Sequence, residues 1–320
     1  MGYPLASDRK QGERVAFRLA LAGDTMLGRG VAKELAHRRP ESLVDPALVE
    51  LTRGADLFVL NLECCISERG QPVPKAFNFR APPKALETLV HLGVGCVTLA
   101  NNHALDFGTD ALLDTFEHLR KAGIPWIGAA ENESEARTSR IIHGLPIVAF
   151  SDHERRFAAA PDRPGIAFAD IRRGVPDWLR ASATGAVVLP HWGPNMTPSP
   201  LRYVRATARE LHEARATLVA GTSAHVFQGV EGNVLYDLGD FLDDYARDRR
   251  LRNDLGLLFL VELDPGGPTR IEAVPLKLEY AHTGLADGED AAWIRRRFRN
   301  ACSELQTEVR EEDGRLVIGS

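Results

Sequence analysis

The stretch "LANNHALDFG" (residues 99–108) decides how the chain is read. A mostly apolar run from Cys96 to Ala100 ends on Asn101, Asn102 and His103, followed by Asp106 and a glycine. A short apolar run bounded by turn-forming residues reads as a buried strand. This one releases two amides and an imidazole at its carboxyl end. The arrangement recurs along the chain. "VAFRLALAGD" ends at Asp24, "ADLFVLNLE" at Asn61 and Glu63, "GAVVLPHWG" at His191, and "ATLVAGTSAH" at His225. "NVLYDLGDF" adds Asp237 and Asp240.

Helical patterns separate several of these strands. "TDALLDTFEHLRKAG" sets Leu112, Phe116 and Leu119 on one face, with Gly123 suited to the C-terminal cap. "PPKALETLVHLG" begins on prolines and ends on Gly93, the usual asymmetry of helix ends. "LRYVRATARELHEAR" carries a stripe of Leu201, Val204, Ala208 and Leu211. Strands alternating with helices predict a layered α/β fold. In such folds ligands bind outside the carboxyl ends of the strands. The chain beyond residue 245 is richer in strands, with long ones near 256–263 and 269–280. A closing helix, "EDAAWIRRRFRNACSEL", aligns Ile294, Phe298, Ala301 and Leu305, and its arginines read as a solvated face. Residues 152–184, rich in Arg, Ala and Pro, read as an irregular insertion or flap. The expected division is a main domain over 14–282 and a C-terminal helix and tail over 283–320.

With 320 residues, 44% hydrophobic and 26% charged, the chain has room for one large domain or two small ones. A net charge of -5 argues against a nucleic-acid partner, which usually needs a basic face. No stretch approaches the roughly 20 apolar residues of a membrane span. "MGYPLASDRKQGERVAFRLALAG" lacks the order of features of a signal peptide. A cytoplasmic protein without a membrane span is therefore expected. Cys64, Cys65, Cys96 and Cys302 form no CxxC pair and read as reduced, buried residues.

The polar strand ends are the residue types of a metal centre. Carboxylates, imidazoles and an amide oxygen together suit Mn, Fe or Zn. Each alone has a plainer reading: a strand-end histidine is often a hydrogen-bonded structural residue, and Asp24 alone could cap a turn. Repetition over five or six strands points to one shared metal or anion site.

Collectively, the stretches "LAGDTMLGRGV", "ADLFVLNLECCIS", "FNFRAPPKALETLVHLGVGCVTLANNHALDFG", "GIPWIGAA", "VVLPHWG", "AHVFQGVE" and "VLYDLGDF" resemble the CapA family of poly-γ-glutamate capsule synthesis proteins. That family is similar in fold to the calcineurin-like metallophosphoesterases. The resemblance covers about residues 18–245 and implies an α/β fold, a β-sandwich flanked by α-helices. It implies that Asp24 and His225 hold one metal, that Asn102 and His191 belong to a second site, and that Glu63 lies between. "ANNH" resembles the phosphoesterase GNH element, which implies that Asn102 binds metal and His103 faces substrate. Asn101 and Asp106 then orient these two. The chain departs from the pattern at three places. Met26 stands where phosphoesterases carry histidine, a trait shared with the family. Ser223 and Ala224 stand where the family commonly has histidine and proline. Asp240 replaces a common asparagine, either as an extra ligand or as a loop holder. One or two ions are expected.

A metal ion polarises a phosphoryl or carbonyl oxygen and acidifies bound water. His103 then serves as proton donor or acceptor. Arg80 and Arg29 are candidates for an anionic substrate group, since guanidinium matches carboxylate and phosphate. Trp192 is a candidate pocket wall. The resulting expectation is a metal-dependent hydrolase acting on a phosphate ester or an anionic glutamyl or peptide substrate. Two alternatives use the same residues: a metal-assisted peptide epimerase or tailoring enzyme with His103 transferring the α-proton, and a non-catalytic module binding a polyanion such as poly-γ-glutamate.

Overall fold

The computed structural model describes residues 16–319. The reading of the N-terminus before residue 16, and the first two residues of the 14–282 span, lie outside the described residues. Two sheets face each other. The larger runs Arg310–Glu312, Arg315–Gly319, Gly267–Glu279, Leu255–Asp264, Phe17–Thr25, Leu57–Leu62, Cys96–Thr98, Trp126–Ile127. Its last four strands are parallel and the others antiparallel. Asp240–Leu242 pairs in parallel with Phe17–Thr25 as well. The smaller sheet runs Val230–Glu231, Val234–Leu235, Leu218–Ala220, Val187–His191, Leu145–Ser151, Arg140–Ile142, with a parallel centre and antiparallel edges.

Alternation along the strands explains the layers, because successive side chains point to opposite faces. Leu19, Leu21, Leu57 and Val59 face inward, against Ile147, Ala149, Val187 and Leu189 of the smaller sheet. Their neighbours Ala20, Ala22, Phe58 and Leu60 face outward, under helices Arg29–His37, Pro46–Arg53, Ala85–His91 and Gly108–Ala122. Val148, Phe150 and Val188 face the opposite way, under helices Asp177–Ala183 and Arg202–Glu213. The expected α/β sandwich flanked by helices is the fold the chain adopts. Among the described residues no helix is long and apolar enough to cross a membrane.

The helices confirm most of the apolar stripes. Leu112, Phe116 and Leu119 are buried, and Gly123 caps its helix at φ 71°. Leu201 is an exception: it precedes its helix and is exposed, so the stripe is Val204, Ala208 and Leu211. In the closing helix Gly288–Ser303 the buried line is Ile294, Phe298 and Cys302, spaced by four. Ala301 sits only half-buried, and Leu305 lies past the helix end against the small sheet's outer core. Its arginines are not all solvated, since Arg297 lies over Phe227 and Trp293 at 5.1 and 5.4 Å. The 283–320 segment adds this helix to the inter-sheet core and the edge strands Arg310–Glu312 and Arg315–Gly319 to the larger sheet. All four cysteines are free and buried.

Candidate functional site

The parallel strands of both sheets end at one place. Asp24 closes the first strand, and the register sets it opposite Asn61 on one side and Asp240 on the other. The backbones approach closely here: Asp24 N–H donates to the Gly239 carbonyl at 2.9 Å. A Cβ on Gly23 would lie 1.8 Å from that carbonyl oxygen, which accounts for the glycine before the aspartate.

Asp24 is fully buried. Its Oδ1 accepts from Asn61 Nδ2 at 2.7 Å, and its Oδ2 accepts from Ser223 N–H at 3.1 Å. His225 Nδ1 lies 3.2 Å from Asp24 Oδ2 and 2.8 Å from Asp240 Oδ1. Glu63 Oε2 accepts from the Tyr245 hydroxyl at 2.8 Å. Glu63 Oε1 makes no hydrogen bond at all, although it is buried. It lies 3.9 Å from each of three imidazole Nε2 atoms, those of His103, His191 and His225. Ligand atoms of Asp24, Glu63 and His225 all fall within 4.8 Å of one another.

The element "NNH" divides its work. Asn101 is structural: its amide donates to Asn61 Oδ1 and the Leu62 carbonyl, and its Oδ1 accepts from His103 N–H at 2.9 Å. Asn102 Oδ1 lies 2.9 Å from His191 Nε2. His103 Nδ1 pairs with Asp106 Oδ2 at 2.5 Å, and its ring stacks on Phe79 with centroids 3.9 Å apart. Asp106 is held in turn by Phe79 N–H at 2.7 Å and by Lys75 Nζ at 3.0 Å. Lys75 also donates to the Asn102 carbonyl.

The charges follow from burial and packing. Burial pushes the Glu63 carboxyl up to about 8, reinforced by the neighbouring Asp24 charge. Burial works against ionisation of Asp24 too, but the His225 hydrogen bond and the Asn61 amide bring it down to about 2. Burial opposes a charge on His225, yet the Asp240, Glu63 and Asp24 carboxylates raise it well above its usual value. Asp240 is raised by burial against the pull of His225. Burial lowers His191 strongly and lowers His103 despite Asp106, so both imidazoles are neutral near pH 7.

These residues fit a divalent cation. A buried carboxylate oxygen without a hydrogen bond needs an explanation. Here it faces three imidazole nitrogens, beside an ionised aspartate, in a donor set suited to Mn, Fe or Zn. Asp24, Glu63 and His225 are the residues that would hold the ion, with His191 and Asn102 alongside. Asp240 hydrogen-bonds His225 Nδ1, but its Oδ2 is another buried oxygen without a hydrogen bond. Asp237 accepts from the Ala224 and Gly239 backbones and holds the loop.

Three substrate candidates fare differently. Arg29 pairs with Asp244 at 3.2 Å and lies over Phe79 at 5.3 Å. With Phe77, Phe79, His103, His225 and Tyr245 it lines a cavity of about 500 Å3. Arg80 is not there: it lies flat on Phe107 at 4.1 Å and lines a separate groove with Lys33 and Lys84. Strand alternation is the reason, because Phe79 takes the inward direction and Arg80 the outward one. Trp192 does not line that cavity. It is buried in the small sheet's outer core, and its indole N–H donates to the Tyr236 carbonyl at 2.9 Å. Sequence reading missed Lys75, Tyr245, Asp152 and His153. His153 Nε2 lies 3.1 Å from Ser223 Oγ, beside the cluster. Its signal was present in "VAFSDH", another apolar run ending on a carboxylate and an imidazole.

The molecule is thus a layered α/β protein with a buried carboxylate–imidazole cluster at the shared strand ends. Residues 18–245 match the family described as bacterial capsule synthesis protein PGA_cap, and the chain belongs to that family. A probable polyglutamine synthesis accessory protein of Mycobacterium tuberculosis is 28% identical, over 86% of this chain and 88% of its own. The PGA biosynthesis protein CapA of Bacillus subtilis is 26% identical, over 93% and 81%. The capsule biosynthesis protein CapA of Bacillus anthracis is 23% identical, over 84% and 69%. The resemblance to the CapA family therefore holds. The crystal structure of TT1561 of Thermus thermophilus superposes with a TM-score of 0.37 and 12% identity, over 76% of this chain and 93% of that one, too loose a likeness to define the fold.

Proposed function

We propose that the protein is a metal-dependent hydrolase acting on a phosphate ester or an anionic glutamyl or peptide substrate. The observation that carries this reading is the unpartnered Glu63 Oε1, buried and 3.9 Å from each of three imidazole nitrogens. A divalent cation supplies Lewis acidity toward a phosphoryl or carbonyl oxygen. The chain's own residues supply the rest. The His103 Nδ1–H donates to Asp106, which leaves Nε2 as a lone pair facing the cluster. That nitrogen takes a proton from water in the first half of a hydrolysis and returns it to the leaving group in the second. Asp106 stabilises the imidazolium formed between these steps, and Lys75 and Phe79 fix Asp106 in place. Arg29 stands at the mouth for an anionic group, and the resemblance to the poly-γ-glutamate capsule synthesis family supplies the glutamyl polymer as a candidate.

The His103–Asp106 pair also favours a second reading. A neutral, carboxylate-backed imidazole is suited to removing an α-proton from a peptide, which makes an epimerase of the same parts. The experiment measures metal by elemental mass spectrometry in wild type, Asp24→Ala and His191→Ala. It then assays phosphate esters, glutamyl peptides and α-deuterium incorporation, with His103→Ala as control. Metal in the wild type, reduced in both variants, with turnover lost in His103→Ala by about 10²–10⁴-fold, supports an enzyme. Ester or amide cleavage selects the hydrolase, and deuterium uptake selects the epimerase. A wild type that takes up no Mn, Fe or Zn overturns both and leaves polyanion binding.

A further inference from the structure

We propose that the cavity beside the cluster takes an amphipathic anion: one carboxylate or phosphate group next to an aromatic or large apolar group, with Arg29 meeting the charge and Phe77 the ring. This rests on the hydrolase reading and narrows its substrate, away from a run of acidic residues and toward a single charge with a ring beside it.

Arg29 opens the helix Arg29–His37, shortly after the strand that carries Asp24. Its guanidinium carbon lies 5.3 Å from the ring centre of Phe79 and 5.9 Å from those of Phe77 and Tyr245. Three rings thus hold one cation in place. Asp244 completes the seat: its Oδ2 accepts from Gly30 N–H at 2.8 Å, and its Oδ1 lies 3.2 Å from Arg29 Nη2. That Oδ1 accepts no hydrogen bond, so the guanidinium is positioned without spending its N–H groups on the acid. The Arg29 side chain stays 37% exposed. A planar fork held in this way suits one carboxylate or phosphate.

The apolar half stands beside it. Phe77 is 63% exposed. A lone exposed ring says little by itself. This one lines the cavity of about 500 Å3 together with Phe79, Tyr245 and Met196. That volume is in the range of small-molecule sites, and a methionine wall adapts to the shape of an apolar guest. His103 and His225 line the same cavity, so a guest seated there lies against the imidazole assigned to proton transfer.

The charge pattern argues against a polyanion. The lining carries two arginines, and each already faces an acid: Arg29 faces Asp244, and Arg247 Nε lies 3.1 Å from Asp254 Oδ1. Asp248 adds a carboxylate to the lining, held by the backbone N–H groups of Arg250 and Leu251. A chain of glutamyl groups would meet acids as often as bases, and like charges brought together select against a partner. One anion followed by a ring meets the Arg29 fork and then Phe77.

The test is calorimetric binding of inert probes to the full chain incubated with Mn, with metal content measured on the same samples. Phenylphosphonate is compared with methylphosphonate, N-acetylphenylalanine with N-acetylalanine, and all four with a γ-glutamyl trimer. The ring is expected to tighten binding about tenfold within at least one pair, the worth of burying part of an aromatic side chain. The pair that shows it tells an aryl phosphate ester from an aromatic peptide end. Phe77→Ala, a change at an exposed position, is expected to abolish the ring's advantage while binding the ringless probe as the wild type does. Arg29→Gln is expected to weaken every anion by about tenfold, through loss of a charge-assisted contact. No advantage for the ring in either pair overturns the proposal, and so does an advantage that survives Phe77→Ala. Tightest binding by the γ-glutamyl trimer overturns it in favour of the polymer. Metal content reads the other claim separately. A metal-loaded chain without ring preference loses only this proposal. A chain that takes up no metal yet prefers the ring through Phe77 keeps the ligand class and loses the hydrolase.

Discussion

The two sheets bring different chemistry to the cleft they share. The larger sheet delivers acids, amides and one imidazole from its strand ends: Asp24, Asn61, Glu63, Asn102, His103 and Asp240. The smaller sheet delivers the other imidazoles: His191 directly, and His153 and His225 from the turns that follow its strands. Neither set is stable alone in a buried place. Unpaired buried carboxylates are expensive, and buried imidazoles without partners stay neutral and orient nothing. The inter-sheet packing of Leu19, Leu21 and Val59 against Ile147 and Val187 is what brings charge and counter-group into register. The site is a property of the interface between layers, not of either layer.

The strongest way to break this pairing is to remove the small sheet's contribution nearest the acids. His225→Ala leaves Asp24, Glu63 and Asp240 buried without their imidazole. It is expected to lower stability by about 3–5 kcal/mol in chelator, the usual result of stranding buried charge. Added Mn is expected to recover part of that. Urea unfolding with and without chelator measures it, and a loss under about 1 kcal/mol would show that the acids are compensated elsewhere.

A second experiment sharpens the comparison through pH. The Glu63 carboxyl is raised from 4.5 to about 8, so the folded chain holds that proton more tightly than the unfolded one. Its contribution to stability is full below about 4.5 and fades as pH rises through about 8. A cation competes with the same proton, so metal affinity moves the other way. It is expected to rise about tenfold per pH unit from 6 to 7.5, with release of about one proton. Calorimetry in buffers of different ionisation enthalpy reads the proton count. A flat profile would mean that Glu63 is already ionised.

The smallest expected effect tests orientation alone. Tyr245→Phe removes one hydrogen bond to Glu63 Oε2 and leaves every candidate ligand in place. Partners behind metal ligands are typically worth about 10–100-fold in affinity. A tenfold weaker Mn affinity with unchanged stoichiometry is expected, and unchanged affinity would confine Tyr245 to packing.

The fold was legible because period and punctuation agree along most of the chain. Asp24, Glu63, Asn102, His103, His191 and His225 were all readable as polar residues following an apolar run, and the layers bring them together. What was misread came from direction. Trp192 follows His191 by one residue and so departs to the opposite face, as Arg80 does after Phe79. Lys75 and Tyr245 reach the site from loops, where no periodicity marks them. His153 was hidden by its setting: it opens a segment whose irregular composition masked the strand-end pattern just before it.

The parallel pairing of Asp24 with Asp240 has a consequence for how the protein is made. The two aspartates are about two thirds of the chain apart in synthesis. The first strand emerges from the ribosome long before the residue that sits beside its carboxylate. Contacts of such long range form late, because chain entropy must be spent before they reward it. Until then Asp24 belongs in water, and the first strand has no complete edge to join. The cleft is therefore among the last parts of the molecule to exist, and a nascent chain arrested short of residue 240 is expected to be blind to metal.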